Sequence, residues 1–246
     1  MVIHCYTSQD AWNVVIQAVE EIKKSNLATK LYSVVLYGSL VRGDFIDNVS
    51  DIDLIVVLKN AVEPSTGQQV SEIFKRVAGQ KGIHVDAPYL LEEKLPLKGK
   101  DQQLIKQMQK CWVQFGFFAF DILQHHKILY GEDFVEKLEI PNPLYAAKDR
   151  IKHILENEVK CYPCQMDKWA WELVKAIQVI FSRKPTLNKE EVLQNFTLYV
   201  PDFPLKSFAK EILEGYKKKS KRDEVFLKRC EVFIRQIEKL ICKTEV

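Results

Sequence analysis

Two aspartates separated by one residue are the strongest chemical signal in this sequence. Asp51 and Asp53 open the apolar run DIDLIVVL, residues 51–58. Alternate side chains of a strand point to the same face, so we expect both carboxylates to project together while Ile52 and Leu54 face the core. Adjacent carboxylates repel unless a cation compensates, and Mg²⁺ prefers hard oxygen ligands with phosphate oxygens among them. The pair therefore predicts a metal site beside a phosphate group.

A Gly38-Ser39 step, directly after the apolar run SVVLY, would supply the phosphate side of that site. Glycine lets backbone N–H groups approach a ligand closely, and a helix beginning there would point its positive end at phosphates. Ser39 would add a hydroxyl donor, and Arg42 has forked donors that suit phosphate. Asp86, in the later stretch IHVDAPYLL, would complete the metal site or accept a proton. Together these residues predict a site for a metal-bound triphosphate.

Five elements should position these residues, in the order helix, strand, strand, helix, strand. The first helix has apolar residues at helical spacing behind a Thr7/Asp10 capping box, and the strands are 33–37, 51–58 and 83–91. Beyond residue 97 the pattern is almost entirely helical. The predicted helices there are 101–127, 144–160, 167–182, 188–196, 205–217 and 223–242. We therefore expect an α+β protein, with a small mixed sheet and helices in residues 1–97 and an all-α helical bundle in residues 98–246.

Composition excludes several classes of protein. The 246 residues are 47% hydrophobic with a net charge of +3, which is ordinary for a globular chain and argues against collagen-like, disordered or dedicated nucleic-acid-binding proteins. We see neither a membrane span nor a secretory signal and expect a cytoplasmic protein. The cysteines are too scattered for a disulfide scaffold. We interpret Cys161 and Cys164 as loop thiols in preference to a zinc-binding or redox-active pair.

The segment GSLVRGDFIDNVSDIDLIVV resembles the signature of the DNA polymerase beta-like nucleotidyltransferase superfamily, over about residues 30–90. The resemblance implies that Gly38 and Ser39 hold the nucleoside triphosphate. It further implies that Asp51 and Asp53 bind two Mg²⁺ ions and that Asp86 is the third carboxylate of the metal site.

The second half resembles the helical domain of the streptomycin/spectinomycin adenylyltransferases in three stretches, FFAFDILQHHKILYGEDFVEKL, DKWAWELVKAIQVIFSRKPTLNKEEVL and ILEGYKKK. By that resemblance Lys189 and Tyr216 contact ATP, and Asp167 or Glu172 lies near the acceptor. Asp86 falls where that family has a glutamate acting as catalytic base. The shorter side chain here leaves base placement and acceptor identity open.

The resulting expectation is an Mg²⁺-dependent nucleotidyltransferase that transfers AMP from ATP to a hydroxyl of a small, aminoglycoside-like acceptor and releases pyrophosphate. The alternative is an enzyme of the minimal nucleotidyltransferase type that adenylates a protein partner, as in toxin–antitoxin pairs. A catalytically silent nucleotide-binding module is disfavoured by the intact set of acids. We expect neither a membrane nor a nucleic-acid partner, and monomer and homodimer both stay open.

An acceptor cleft between the two domains would need walls, and the sequence offers several acids and two tryptophans for them. Each acid taken alone is more typical of a solvated surface side chain. The acids are Glu92, Glu93, Asp121, Asp167 and Glu172. Trp169 and Trp171 point different ways on one helix, so we expect one in the core and the other free to line a cleft.

Overall fold

The computed structural model describes residues 5–100, 116–139, 142–217 and 223–243. The chain forms two compact units. The sheet unit comprises Met1–Gln109 and Asp121–Ile140, and the helical unit comprises Lys110–Phe120 and Pro141–Val246. A small mixed sheet with helices and a helical unit are both present, as predicted. The sheet unit extends beyond the predicted boundary at residue 97, because it also includes Asp121–Ile140.

The sheet unit begins with the predicted helix, whose capping box between Thr7 and Asp10 is confirmed. Its helices are α1 (Ser8–Lys23), α2 (Ser39–Arg42) and α3 (Pro64–Gly79). Its strands are β1 (Leu31–Tyr37), β2 (Ile52–Leu58), β3 (Val85–Asp86), β4 (Tyr89–Leu91) and β5 (Lys127–Gly131). A further helix, α4 (Gly116–Gln124), precedes β5.

The five strands form one mixed sheet in the order β3-β2-β1-β5, with β4 also paired to β2. β1 runs antiparallel to both β2 and β5, whereas β3 and β4 run parallel to β2. β1 and β2 are the buried centre, which explains their continuous apolar sequences. The predicted strand 83–91 is split in two at Ala87 and Pro88, because proline lacks a backbone N–H for the ladder.

One strand was not predicted. The helix expected over 101–127 ends at Gln124, and Lys127–Gly131 returns to the sheet beside β1. Residues 101–115 of that predicted helix lie outside the described residues. A five-residue run such as KILYG is too short for periodicity to separate strand from helix, so the sequence did not reveal this return.

The helical unit consists of helices predicted from the sequence, with small shifts at their ends. They are α5 (Pro143–His153), α6 (Val159–Cys161), α7 (Met166–Ser182), α8 (Lys189–Tyr199), α9 (Phe208–Lys217) and α10 (Glu224–Lys243). A π-helical turn, Ile154–Glu158, joins α5 to α6. None of the helices in the described ranges is both long and apolar enough to cross a membrane.

Helix α7 is the centre of this unit, and α5, α8, α9 and α10 all pack on it. Because it is covered on several sides, Trp169 and Trp171 are both buried, with 4% and 2% of their surface exposed. The expectation that one of them is free to line a cleft is wrong. Cys161, the last residue of α6, and Cys164, just beyond it, are exposed free thiols, and neither belongs to a metal-binding cluster among the described side chains.

Two acids expected at the surface are buried in α7. Asp167 is 0% exposed and Glu172 is 7% exposed. Glu172 pairs with Lys175, one turn further on, and with Arg150 of α5 at 3.4 Å. Burial alone would raise the pKa of Glu172, but Lys175 and Arg150 outweigh it and hold that pKa at about 2. The carboxylate therefore stabilises the fold rather than offering a solvated charge.

This pairing predicts a pH-dependent part of the stability. Because the pKa of Glu172 falls from 4.5 to about 2 on folding, its contribution is complete above pH 4.5 and is lost as the pH falls towards 2. Glu172→Gln should lower the free energy of unfolding at pH 7 by about 3 kcal/mol, because it removes the carboxylate that pairs with Arg150 and Lys175 inside the unit. Denaturant titrations at pH 7 and pH 3 measure both effects.

The matched control is Glu238→Gln, at an exposed position of α10. It should leave stability within about 0.5 kcal/mol of the parent chain. If Glu172→Gln were equally mild at pH 7, the buried ion pair would not stabilise this unit.

Candidate active site

Three functional side chains lie in one row across the sheet. Asp53 on β2 lies opposite Tyr37 on β1, and on its other side it lies opposite Asp86 on β3. The row follows from the strand register. Tyr37, the last residue of β1, pairs with Asp53 near the start of β2, and Asp53 pairs in turn with Asp86 of β3. The structure thus brings Asp53 and Asp86, which are far apart in sequence, to neighbouring strands.

Asp51 lies just before β2 and is more exposed, with 44% of its side-chain surface accessible. Its Oδ2 lies 3.8 Å from Nδ1 of His84, the residue just before β3. Asp86 is also exposed, whereas Ile52 and Leu54 are fully buried. The alternation predicted from the D-x-D spacing is confirmed: the two acids leave the core face to the apolar residues.

Gly38 packs directly against the carboxylate of Asp53. A Cβ atom at position 38 would lie 2.1 Å from Oδ2 of Asp53, and the backbone φ there is +81°. Both facts require glycine. The backbone at this turn can therefore approach any ligand of Asp53 closely, as the Gly-Ser step predicted.

A helix begins at this step, as the sequence analysis considered, but it is short. α2 is a single turn, Ser39–Arg42, that ends at Gly43 in the left-handed region. The expectation that a helix dipole binds phosphate here is therefore not supported, since one turn sums few peptide dipoles. Ser39 is 6% exposed and begins this turn.

Hydrogen bonds hold the loop between α2 and β2 against Tyr6, which lies just before α1. Asn48 adopts a φ of 61° and accepts a hydrogen bond at 2.6 Å from the backbone N–H of Tyr6. In return the backbone N–H of Asn48 donates to the carbonyl of Tyr6 at 3.1 Å. The Tyr6 hydroxyl donates to the carbonyl of Ser50 at 3.0 Å. These bonds fix the loop immediately before Asp51.

Two side chains of the row, Asp53 and Tyr37, have raised pKa values. Burial raises the pKa of Asp53 well above its usual value, and the nearby Asp51, Asp121 and Asp86 raise it further, against a smaller lowering by Arg42. Burial likewise raises the pKa of Tyr37 well above 10.0, with Asp53 and Asp86 adding to the shift. A cation at this place would offset the repulsion that both groups experience.

The donor set fits Mg²⁺ carried by a phosphate ligand better than a metal held by protein alone. No group of three or more His, Cys, Asp or Glu within the described ranges is arranged to hold a metal ion. Mg²⁺ usually takes one or two carboxylates and completes its shell with water and phosphate. Asp51 and Asp53 offer such hard oxygens, while metal binding by all three acids stays a prediction.

Arg42 is paired with carboxylates in this structure. Its side chain is 9% exposed and is paired with Asp121 and Asp44. Asp121, expected as a solvated acid, is itself buried, with a side chain 5% exposed. A phosphate contact by Arg42 therefore stays a prediction, and the observed partners of this guanidinium are carboxylates.

Lys189 and Tyr216 lie at one end of the helical unit. Lys189 is the first residue of α8 and is 8% exposed, and Tyr216 precedes the last residue of α9. Their chain neighbours form an ion pair, Lys217 Nζ to Glu190 Oε1 at 2.9 Å. The two positions are thus brought close together, while their contact with a nucleotide stays a prediction.

Sequence reasoning missed Tyr37, His84 and the burial of Asp121. Tyr37 directly precedes the Gly-Ser step, so strand pairing alone would have placed it opposite Asp53. Asp121 is a lone acid in the apolar stretch FFAFDIL, a pattern that signals a buried, paired carboxylate.

Part of the chain matches a known domain family. Residues 15–111 match the family model described as a nucleotidyltransferase domain, which includes every carboxylate of the row. No curated protein matches significantly.

Among solved structures, the spectinomycin adenyltransferase AAD(9) from Enterococcus faecialis, determined with ATP and spectinomycin, is 16% identical with a TM-score of 0.66. The match covers 92% of this chain and 98% of that chain, so the likeness in fold extends over most of both.

Two toxin–antitoxin complexes also match, with lower TM-scores. One is MntA-HpeT, at 17% identity over 60% of this chain and 91% of that chain, with a TM-score of 0.29. The other is a tri-AMPylated Shewanella oneidensis HEPN toxin with MNT antitoxin, at 15% identity over 63% of this chain and 93% of that chain, with a TM-score of 0.28. Scores this low support no argument about this chain.

The packing of Gly38 predicts a specific cost for Gly38→Ala. Gly38 and Gly43 share a φ of +81°, but Gly43 has a ψ of 14°, in the left-handed region, and nothing lies within 4 Å of a Cβ there. Gly43→Ala should therefore cost only the backbone strain, about 1 to 2 kcal/mol. Gly38 has a ψ of −162°, a region open almost only to glycine, so Gly38→Ala should cost a further 1 to 3 kcal/mol from that backbone strain and from the collision of the methyl group with Asp53. Chemical denaturation of the two variants in parallel measures the difference, and equal losses would show that Gly38 does not pack on Asp53.

Proposed function

We propose that this chain, which carries a nucleotidyltransferase domain in residues 15–111, transfers AMP from ATP to a hydroxyl of a small aminoglycoside-like molecule and releases pyrophosphate. The observation that carries the proposal is the row of Tyr37, Asp53 and Asp86 behind the Gly38 turn. That row combines a half-buried acid, a solvent-facing acid and a close backbone approach in one place.

The nucleotide would bind at the Gly38 turn. Gly38 and Ser39 lie where backbone groups can approach phosphates, since Gly38 presents no side chain on the Asp53 side. Asp51 and Asp53 would hold Mg²⁺ bound to the triphosphate, and Asp86 is a candidate to share a second ion. When bound, Mg²⁺ would neutralise phosphate charge and stabilise the leaving pyrophosphate.

Asp86 is the residue we propose as general base. In the proposed reaction the acceptor oxygen bonds to the α-phosphorus, the bond from that phosphorus to the β-phosphate oxygen breaks, and the hydroxyl proton passes to a carboxylate. Asp86 is exposed at the end of the row, so an acceptor can reach it without displacing the sheet. Its short side chain favours an acceptor hydroxyl that comes close to β3.

The helical unit supports a small-molecule acceptor rather than a protein. The fold it shares with a spectinomycin adenyltransferase extends over 92% of this chain. We propose Lys189 and Tyr216 as the residues through which this unit contacts ATP. Asp167 and Glu172 are poor candidates for acceptor ligands, because both are buried and Glu172 is already paired with cations.

The direct test follows radiolabel from α-³²P-ATP. The full chain with Mg²⁺ should label a member of a panel of aminoglycosides and aminocyclitols, resolved by thin-layer chromatography. Asp53→Asn should give no detectable label, because the acid at the centre of the site is lost. Asp86→Ala should retain weak transfer, lower by about 10² to 10⁴, as expected for loss of a general base.

The control is Asp202→Asn, whose side chain is 97% exposed on the helical unit. It should transfer label at the parental rate. Label on a protein from the source cell instead of a small molecule would favour the protein-adenylating alternative. Unchanged transfer by Asp53→Asn at saturating ATP and Mg²⁺ would contradict the proposed site.

A further inference from the structure

We propose that Arg42 and Asp121 form a buried ion pair that positions the Gly38 turn against Asp53, so that Arg42 is a positioning residue and not a phosphate ligand. The inference rests on the proposed function for its kinetic part and on the fold alone for its structural part. It also assigns a role to Asp121, which the sequence analysis treated as a solvated acid.

The guanidinium of Arg42 is enclosed by carboxylates. Nη1 contacts Oδ2 of Asp121, Nη2 lies 3.2 Å from Oδ1 of Asp44, and Nε donates to the same Asp44 oxygen at 3.2 Å. The exposed fractions of the three side chains are 9% for Arg42, 5% for Asp121 and 14% for Asp44. Swinging Arg42 out to a phosphate would leave two enclosed carboxylates without their cation, which is strongly unfavourable.

The pair is connected to the active site through one turn of backbone. The N–H of Arg42 donates to the carbonyl of Gly38 at 3.0 Å, and the N–H of Asp44 donates to the carbonyl of Ser39 at 3.1 Å. Gly38 in turn packs on the carboxylate of Asp53. Since α2 has only this single turn, it has little internal stability of its own. The ion pairs of Arg42, at the other end of this turn, therefore fix the position of Gly38.

Asp121 supplies the anchor from a distant part of the chain. It lies on α4, which leads into β5, the strand beside β1. Sequence separation of 79 residues between Arg42 and Asp121 makes this a tertiary contact rather than a local one. The three side chains together carry a net charge of −1, so the cluster itself does not attract a phosphate.

The two readings of Arg42 predict opposite effects for Asp121→Asn. If Arg42 were a phosphate ligand restrained by Asp121, neutralising Asp121 would release it and leave ATP binding unchanged or tighter. If the pair positions the turn, Asp121→Asn should weaken the site as Arg42→Gln does. The double variant should then be no worse than the more damaging of the two single variants, because both changes remove the same interaction.

The experiment is a double-mutant cycle on the full chain with Arg42→Gln, Asp121→Asn and the double variant. We measure the thermal midpoint, the dissociation constant of a fluorescent ATP analogue, and kcat and KM for ATP. Each single change should lower the midpoint and reduce kcat/KM at least tenfold, and the double variant should match the worse single variant. Arg42→Lys should restore less than half of the loss, because lysine cannot contact both carboxylates with a fork.

The control cycle uses Arg76 and Glu21, an ion pair of the same chemistry with side chains 53% and 43% exposed. Arg76→Gln and Glu21→Gln should show no coupling and parental transfer, as surface pairs contribute little. An Asp121→Asn variant with parental or tighter ATP binding, beside an Arg42→Gln variant with tenfold weaker binding, would overturn the proposal. Additive losses in the double variant would overturn it as well.

The experiment separates a failure of the proposed transfer reaction from a failure of the positioning role of Arg42 and Asp121. If the wild-type chain transfers no label, the proposed function fails, while the coupling in thermal midpoint and nucleotide binding still tests the pair. If transfer is normal but the cycle shows no coupling, only the positioning role fails. Should a variant not fold, Asp44→Asn repeats the test from the other carboxylate, with a smaller expected loss in the same direction.

Discussion

The contact between the Gly38 backbone and the Asp53 carboxylate is the constraint on which the site depends. A side chain at position 38 would collide with that carboxylate, and the left-handed φ would strain any other residue. Around this contact the sheet register adds Tyr37 and Asp86 to the same row. The fold thus holds the Asp53 and Asp86 carboxylates on neighbouring strands through backbone pairing. We propose this arrangement as the site of a cation and its phosphate ligand.

The start of α1 and the shared face of Asp51 and Asp53 could be predicted from the sequence, because the signals for both are local. The D-x-D spacing fixes which face the acids share, and the Thr7/Asp10 box fixes the start of α1. What could not be predicted depends on tertiary contacts. β5 is a short run without a decisive period, and Asp121 meets Arg42 only because that strand returns to the sheet. The single turn of α2 likewise ends at Gly43, which adopts the left-handed conformation.

The two units use buried charge in different ways. In the helical unit Glu172 is matched by Arg150 and Lys175, and its pKa is lowered to about 2. In the sheet unit Asp53 has acids as its main neighbours, and its pKa is raised. The first arrangement is complete as it stands and stabilises packing. The second brings Asp51, Asp86 and Asp121 close to Asp53, and we propose it as a cation-binding site.

The proposed function requires a cation that binds at Asp53 together with a nucleotide. Titration of Mn²⁺, as a spectroscopic substitute for Mg²⁺, with a non-hydrolysable ATP analogue tests this directly, because the EPR signal of free Mn²⁺ is lost on binding. The parent chain and Asp202→Asn should bind Mn²⁺ with the analogue, and Asp53→Asn should lose at least tenfold in affinity. Equal Mn²⁺ affinity in Asp53→Asn and the parent chain would contradict the account.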